Sequence, residues 1–252
     1  MAEAAWAGLA SVDALRADSA QAARDLVPVL PALRPVIPGG GLRPGSIVGL
    51  DGPGAASLGL ALVAGVSGAD AEGWCGVVGL PDFGVVAAVG MGAAPERLLL
   101  VDEPGERWPD VVAALVEAVD LVLVRTPEVP SSTAVRRLSA LARKHGCVLT
   151  LTGPFARAWP GTRLRLRVDE AAWDGLGDGH GVLRGRRAQV TAEGRDAPGR
   201  GRQADVWLPG PDGEVIPAEA PPGRPLLEVV TGAAEPDAPA TRRVAARVRT
   251  AK

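Results

Sequence analysis

With 252 residues, 47% of them hydrophobic and 22% charged, the chain can fold as one sizeable domain that buries roughly 70–75% of its unfolded surface. The absence of any run of 18 apolar residues and of a charged-then-apolar leader argues against membrane spanning and secretion, so a cytoplasmic protein is expected. The net charge of −2 conceals an asymmetry: residues 1–130 hold 7 Lys/Arg against 16 Asp/Glu, and residues 131–252 hold 20 against 13. The second half could therefore face nucleic acid or an acidic partner, unless its cations form only a solvated surface.

Residues 2–25 are Ala-rich, with Leu9, Val12, Leu15 and Leu26 near helical spacing, which predicts a peripheral helix. Pro28, Pro31, Pro35 and Pro38 then forbid a continuing helix, and Gly39–Gly41 and Arg43-Pro-Gly45 add turns, so this stretch reads as a linker. Residues 1–35 form an N-terminal helix and linker in this reading. From Ile47 short apolar runs alternate with helix-length segments: strand 47–50, helix 55–66, strand 75–80, helix 83–91, strand 98–101, helix 109–119, strand 121–124, helix 131–144 and strand 147–152. Runs without polar interruption, such as Leu121-Val-Leu-Val124, are expected where helices cover both faces of a parallel sheet. Ser131, Ser132 and Thr133 offer N-caps to the last helix, and Gly146 closes it after Arg143, Lys144 and His145, cations favoured at a helix C-terminus. Cys75 and Cys147 open interior strands and read as small buried hydrophobes.

After Thr152 the rhythm changes. Arg163-Leu-Arg-Leu-Arg-Val168 alternates strictly, which puts three arginines on one face of a strand. A hairpin-like stretch follows through the glycines 175–181 into Gly181–Thr191. Further strands are expected at 204–208 and 226–230, with a Gly/Arg loop at 194–202. Residues 153–230 thus read as a β-rich extension, and residues 231–252 as a disordered basic tail. Trp159, Trp173 and Trp207 could stack on bases or pack a core. His180, near Asp174 and Asp178, reads as a loop residue rather than a metal ligand.

The strand 47–50, the turn at Gly52-Pro-Gly54 and the apolar helix after it have the shape of a phosphate-binding loop without its chemistry. In the pattern G-x-x-x-x-G-K-[ST], backbone amides wrap the phosphates, Lys supplies charge and a hydroxyl holds Mg²⁺. Counted from Gly52, those last three positions are Ser57, Leu58 and Gly59. A dinucleotide fingerprint on the same glycines fits poorly, because Ser57 replaces the third small residue and Asp82 lies too far along. The strand 121–124 ends in Arg125 where a phosphate-loop ATPase carries an Asp, and a guanidinium cannot ligate Mg²⁺. No Ser/His/Asp or Cys/His arrangement points to a hydrolase. No catalytic residue, cofactor or metal is therefore expected, and Gly52, Pro53, Gly54, Ser57, Leu58, Gly59 and Arg125 mark a degenerate nucleotide site.

Ile37-Pro-Gly-Gly-Gly-Leu-Arg-Pro-Gly-Ser46, the Gly52-Pro53 turn, Cys75-Gly-Val-Val78 and Val119-Asp-Leu-Val-Leu-Val124 resemble the RecA ATPase core in order and spacing over residues 36–152. Over residues 29–210, including Val78-Gly-Leu-Pro-Asp82, Gly177-Asp-Gly-His-Gly-Val-Leu-Arg-Gly-Arg186 and Ala204-Asp-Val-Trp-Leu-Pro209, the chain resembles ImuA-type RecA homologues. The resemblance implies an α/β fold, a RecA-like parallel sheet flanked by helices with an antiparallel β extension. It also implies an accessory role in error-prone translesion synthesis, with an ImuB-like polymerase-family protein and a C-family error-prone DNA polymerase as partners, in the cytoplasm near the nucleoid. DNA and self-association are further candidates, and no membrane is expected. The lysine, threonine and metal-strand aspartate of RecA correspond to Leu58, Gly59 and Arg125, and its catalytic glutamate falls near Pro81 or Asp82, so strand exchange is not carried over. Candidate DNA or partner contacts are Arg163, Arg165, Arg167, Arg184, Arg186, Arg187, Arg242, Arg243, Arg247 and Arg249. Alternative readings are a RecA-like ATPase with a relocated nucleotide site and a division-inhibitor-like adaptor.

Overall fold

The computed structural model describes residues 26–176 and 180–218, without the side chains of residue 176 and of 198–200. The helix expected at 2–25, the strand at 226–230, the basic tail and its four arginines lie outside the described residues. One nine-stranded sheet runs through the described chain in the order β3-β2-β4-β5-β1-β6-β7-β8-β9. Its strands are β1 Ile47–Asp51, β2 Cys75–Val78, β3 Leu98–Val101, β4 Leu121–Arg125, β5 Val148–Thr152, β6 Leu164–Leu176, β7 Gly181–Gly194, β8 Ala197–Trp207 and β9 Ile216–Pro217. The first six are parallel where they pair, and β6 to β9 continue as antiparallel neighbours. This is the expected parallel core with an antiparallel extension.

Helices α1 Ala55–Ser67, α2 Val85–Gly90, α3 Trp108–Val116 and α4 Ser132–His145 flank the parallel part. Two apolar clusters, one per face, explain why the central strands are apolar without alternation. One gathers α1 with Val48, Leu50, Val77, Leu121 and Leu123. The other gathers α3 and α4 with Val78, Val122, Val124, Leu149 and Leu151. The Ser131 hydroxyl caps α4 by accepting from the Ala134 amide at 3.2 Å, and the last turn carries Arg143, Lys144 and His145 before Gly146. Both cysteines are free and buried, and burial pushes the Cys147 thiol up to about 12.

Three expectations are corrected. The proline-rich stretch is not a spacer: Val29, Leu33, Val36, Ile37 and Leu42 are buried in the first cluster, and Val27 pairs with Leu42. Proline removes helix without removing apolar side chains, so an irregular chain can still supply core. The Gly/Arg loop at 194–202 is a tight turn at Arg195 and Asp196, after which β8 begins at Ala197. The strand expected at 204–208 is the second half of β8. Helix 83–91 is shortened to the six residues of α2.

Candidate functional site

Open parallel sheets receive ligands at the carboxyl ends of their strands. Here that edge carries Asp51 on β1, Asp82 in the turn after β2, Arg125 on β4 and Thr152 on β5. The turn after β1 is short. Gly52 has φ of 78°, and α1 starts at Ala55 with Gly54 as its cap residue. The Ala55 amide donates to the Gly52 carbonyl at 3.1 Å and the Leu58 amide to the Gly54 carbonyl at 3.0 Å, so these donors are closed on the turn itself.

Packing fixes the turn from both sides. A Cβ on Gly54 would lie 2.2 Å from Val168 Cγ2, and one on Gly59 would lie 3.0 Å from Leu123 Cδ2. The start of α1 is thereby wedged between β6 and β4. Leu58 is fully buried within the first apolar cluster, so the position that holds a lysine in a phosphate loop points into the core.

Across the cleft, Arg125 Nη1 lies 3.0 Å from Asp82 Oδ1, and Nη2 donates to Oδ2 at 3.3 Å. The hydrogen bond from Arg125 holds the Asp82 carboxyl below its ordinary range. The cavity beside this pair measures about 50 Å³ and is lined by Leu60, Leu80, Phe83 and Leu123 with Arg125 and Asp82. The cleft against the Gly52 turn, lined by Asp51, Gly52, Ala55, Gly153, Pro154 and Arg157, is larger, about 370 Å³, within the range of ligand pockets, so chemistry rather than size decides what it can hold. These residues do not fit a nucleotide with its Mg²⁺. The lysine and hydroxyl of a phosphate loop are absent, and both carboxylates at the strand ends, Asp51 and Asp82, are engaged by guanidiniums. Nor do the described residues contain a group of three or more His, Cys, Asp or Glu able to hold a metal ion.

A family model described as the MT3502 N-terminal domain matches residues 35–161, half of the chain. This chain belongs to the MT3502 N-terminal domain family. A relative, "Uncharacterized protein Rv3395c" of Mycobacterium tuberculosis (strain ATCC 25618 / H37Rv), is 34% identical over 179 residues, which are 68% of this chain and 80% of that protein. Among solved structures, the crystal structure of the RadB recombinase aligns with a TM-score of 0.55 and 17% identity, covering 75% of this chain and 97% of that one. At that identity the likeness shows the fold, which is RecA-like.

The MT3502 span includes the turn, Asp82 and Arg125, and the remaining candidates lie beyond it. Arg163, Arg165 and Arg167 do share a face, opposite buried Leu164, Leu166 and Val168, but each meets a carboxylate. Arg163 pairs with Asp196 at 2.8 Å, Arg165 with Asp51 at 3.3 Å, and Arg167 with Asp169 at 2.6 Å and Glu193 at 3.2 Å. Asp51, which sequence reasoning did not single out, also receives Arg157 at 3.3 Å. Its side chain is only 10% exposed, and it sits at the junction of two clefts of about 390 and 370 Å³. An acid ending an apolar strand just before a glycine turn was the available signal. The larger cleft is lined by Asp51, Glu193 and the three guanidiniums of Arg157, Arg165 and Arg167, so its charge is largely balanced from within.

On β7 the picture differs. Arg184 is exposed with no carboxylate in ion-pair range among the described residues. Arg186 lies 5.7 Å from the ring centre of Trp173, and Arg187 4.7 Å from that of Trp207. Trp173 is 49% exposed, whereas Trp159 is core, its indole N–H donating to the Ser139 hydroxyl at 3.3 Å. Of the three tryptophans considered for stacking, Trp159 is therefore a packing residue. No described helix is long and apolar enough to cross a membrane.

Proposed function

We propose that this MT3502-family protein is a non-catalytic, RecA-like accessory of error-prone translesion DNA synthesis. In this reading it is a scaffold that works through an ImuB-like polymerase-family protein and a C-family DNA polymerase rather than through nucleotide chemistry. The observation that carries the non-catalytic half is the Arg125–Asp82 pair, which occupies the strand ends where a RecA-type ATPase needs a free carboxylate for Mg²⁺ and a second to orient water. A guanidinium, a permanent cation without a lone pair to offer, can serve neither as base nor as metal ligand. Leu58 in the core supports the same reading. The assignment to translesion synthesis rests on the resemblance of residues 29–210 to ImuA-type sequences. The test is co-elution of the full chain with an ImuB-like protein in size-exclusion chromatography, with and without ATP and Mg²⁺. A stable complex indifferent to nucleotide is expected. Failure to form a complex, or a complex that requires ATP, contradicts the proposal.

A further inference from the structure

Strand β6 is longer than the neighbour that covers it. Strand β1 matches it from Leu164 to Arg167, ending at Asp51 opposite Arg167, and the chain then turns away at Gly52. Beyond this point β6 is paired on its other side with β7, from Glu170 opposite Gln189 to Asp174 opposite Gly185. The edge of β6 from Glu170 to Gly175 therefore has no strand beside it among the described residues. Six residues is a full strand length, and such an edge presents a row of unpaired amides and carbonyls to any extended chain. The outer edge of β7 is covered by β8 from Arg187 onward and by the exchange of Arg186 with Leu208 and Pro209, whereas its first residues, 181–185, have no strand on that side among the described residues.

The side chains flanking the open edge are unusual for a solvated hairpin. Trp173 sits opposite Arg186, and Val182, Leu183 and Arg184 follow where the register shifts between Asp174 and Leu176. Val182 is 75% exposed and Leu183 49% exposed, and Arg184 is exposed as well. The Arg186 Nε donates to the Leu208 carbonyl at 2.8 Å, while its Nη2 is buried without an acceptor. Burial and the contact with Leu208 thus hold this guanidinium beneath the Trp173 ring. The Trp173 face thus combines apolar surface with cations. The opposite face of β6 carries Glu170 and Asp174.

We propose that the β6 edge from Glu170 to Gly175 is a strand-addition site for an extended protein segment in which acidic and apolar residues fall on the Trp173 face and neutral or basic residues on the other. Main-chain hydrogen bonds along the edge supply affinity, and the two faces read alternate side chains. An acid on the added segment meets the exposed guanidinium of Arg184, and its apolar residues meet the half-exposed Trp173 ring. Nucleic acid suits the surface less well. Glu170 and Asp174 repel phosphates along the edge, the Trp173 ring already has a guanidinium over it, and the exposed aliphatic groups of Val182 and Leu183 offer nothing to a base.

The inference rests on the reading of the chain as a binding scaffold, and its test is separable from that reading. A phage-displayed library of random 12-residue peptides is panned on the full chain, and enriched peptides are synthesised. Their affinities are measured for the wild type, Trp173→Ser, Arg184→Glu and, as a remote exposed control, Arg136→Glu. Enriched peptides should alternate acidic and apolar residues, lose at least about tenfold in affinity on Trp173→Ser and on Arg184→Glu, and bind the Arg136→Glu protein unchanged. Failure to enrich any peptide, or peptides that bind Trp173→Ser as tightly as the wild type, overturns the proposal. Displacement of the peptides by oligo-dT of 20 nucleotides at comparable affinity overturns it in favour of nucleic acid. Loss of the ImuB-like complex described above, with peptide binding intact, would instead refute the partner assignment alone.

Discussion

Substituting Leu58→Lys places a lysine at the position where a working phosphate loop has one, and the packing here predicts that the result is an injured core rather than a repaired site. Leu58 is fully buried in the first apolar cluster, so removing it forfeits about 2–3 kcal/mol of apolar burial, of which the lysine stem recovers a part. The ammonium must then either remain charged without a partner or give up its proton, and each unit of pKa depression costs about 1.4 kcal/mol. Together these give a loss of about 3–5 kcal/mol, or a fall in Tm of roughly 6–20 °C at about 2–4 °C per kcal/mol for a domain this size. The sign of the pH dependence follows. Unfolded chains hold the lysine proton up to about pH 10.4, whereas burial lowers the folded pKa, so between the two values the unfolded state binds more protons and stability rises with pH. Thermal unfolding followed by circular dichroism at pH 7 and pH 10 should show the variant deficit shrinking at the higher pH, after subtraction of the wild-type trend. A variant that melts within about 2 °C of the wild type at pH 7 would mean that the side chain at position 58 reaches the cleft, and the reasoning would fail.

Three further outcomes follow from the same geometry. Gly54→Ala should cost about 1–3 kcal/mol in urea unfolding, and Val168→Ala should not rescue it, because the added Cβ also falls 2.5 Å from Val168 Cβ; a double variant restored to the stability of Val168→Ala alone would show that the turn can shift freely. Leu58→Lys combined with Gly59→Thr should release no phosphate from ATP above background, since the threonine is forced against Leu123 and Arg125 still opposes Mg²⁺; measurable turnover would show a nearly intact site. The Asp82 carboxyl, held below its ordinary range by the hydrogen bond from Arg125, should titrate in NMR at lower pH than an ordinary aspartate. The contribution of the pair is thus present above the ordinary carboxylate range and lost as the pH drops through the lower, folded pKa, and Arg125→Ala should return the titration to the ordinary range.

Local patterning carried the parallel core into view. Leu98–Val101 appears at the boundaries expected from sequence, and the apolar run Leu121–Val124 is followed to its arginine as β4. The cap and basic last turn of α4 are sequence-local features and stand as read. What local patterning could not reach were contacts set by tertiary register. Alternation showed that Arg163, Arg165 and Arg167 share a face, yet their acids lie on Asp196, Asp51, Asp169 and Glu193, and the Asp51 pairing exists only because β1 and β6 are neighbours. The length of β6 was hidden for a different reason: a register shift between Val168 and Glu170 breaks the period of two, so the strand seemed to stop where its pattern did. In the nucleotide cleft, the substitutions at Leu58 and Arg125 were legible as departures from a motif. That Asp82 would come across to hold Arg125 was not, because 43 residues separate them.

The claim at the centre of this account is that the RecA-like cleft, with Leu58 turned into the core and Arg125 locked to Asp82, no longer takes a nucleoside triphosphate. Isothermal titration of the full chain with ATP and Mg²⁺ tests it most directly. No saturable heat is expected, corresponding to a Kd weaker than about 1 mM; micromolar binding that disappears on substitution at Gly52 or Gly54 would contradict the claim.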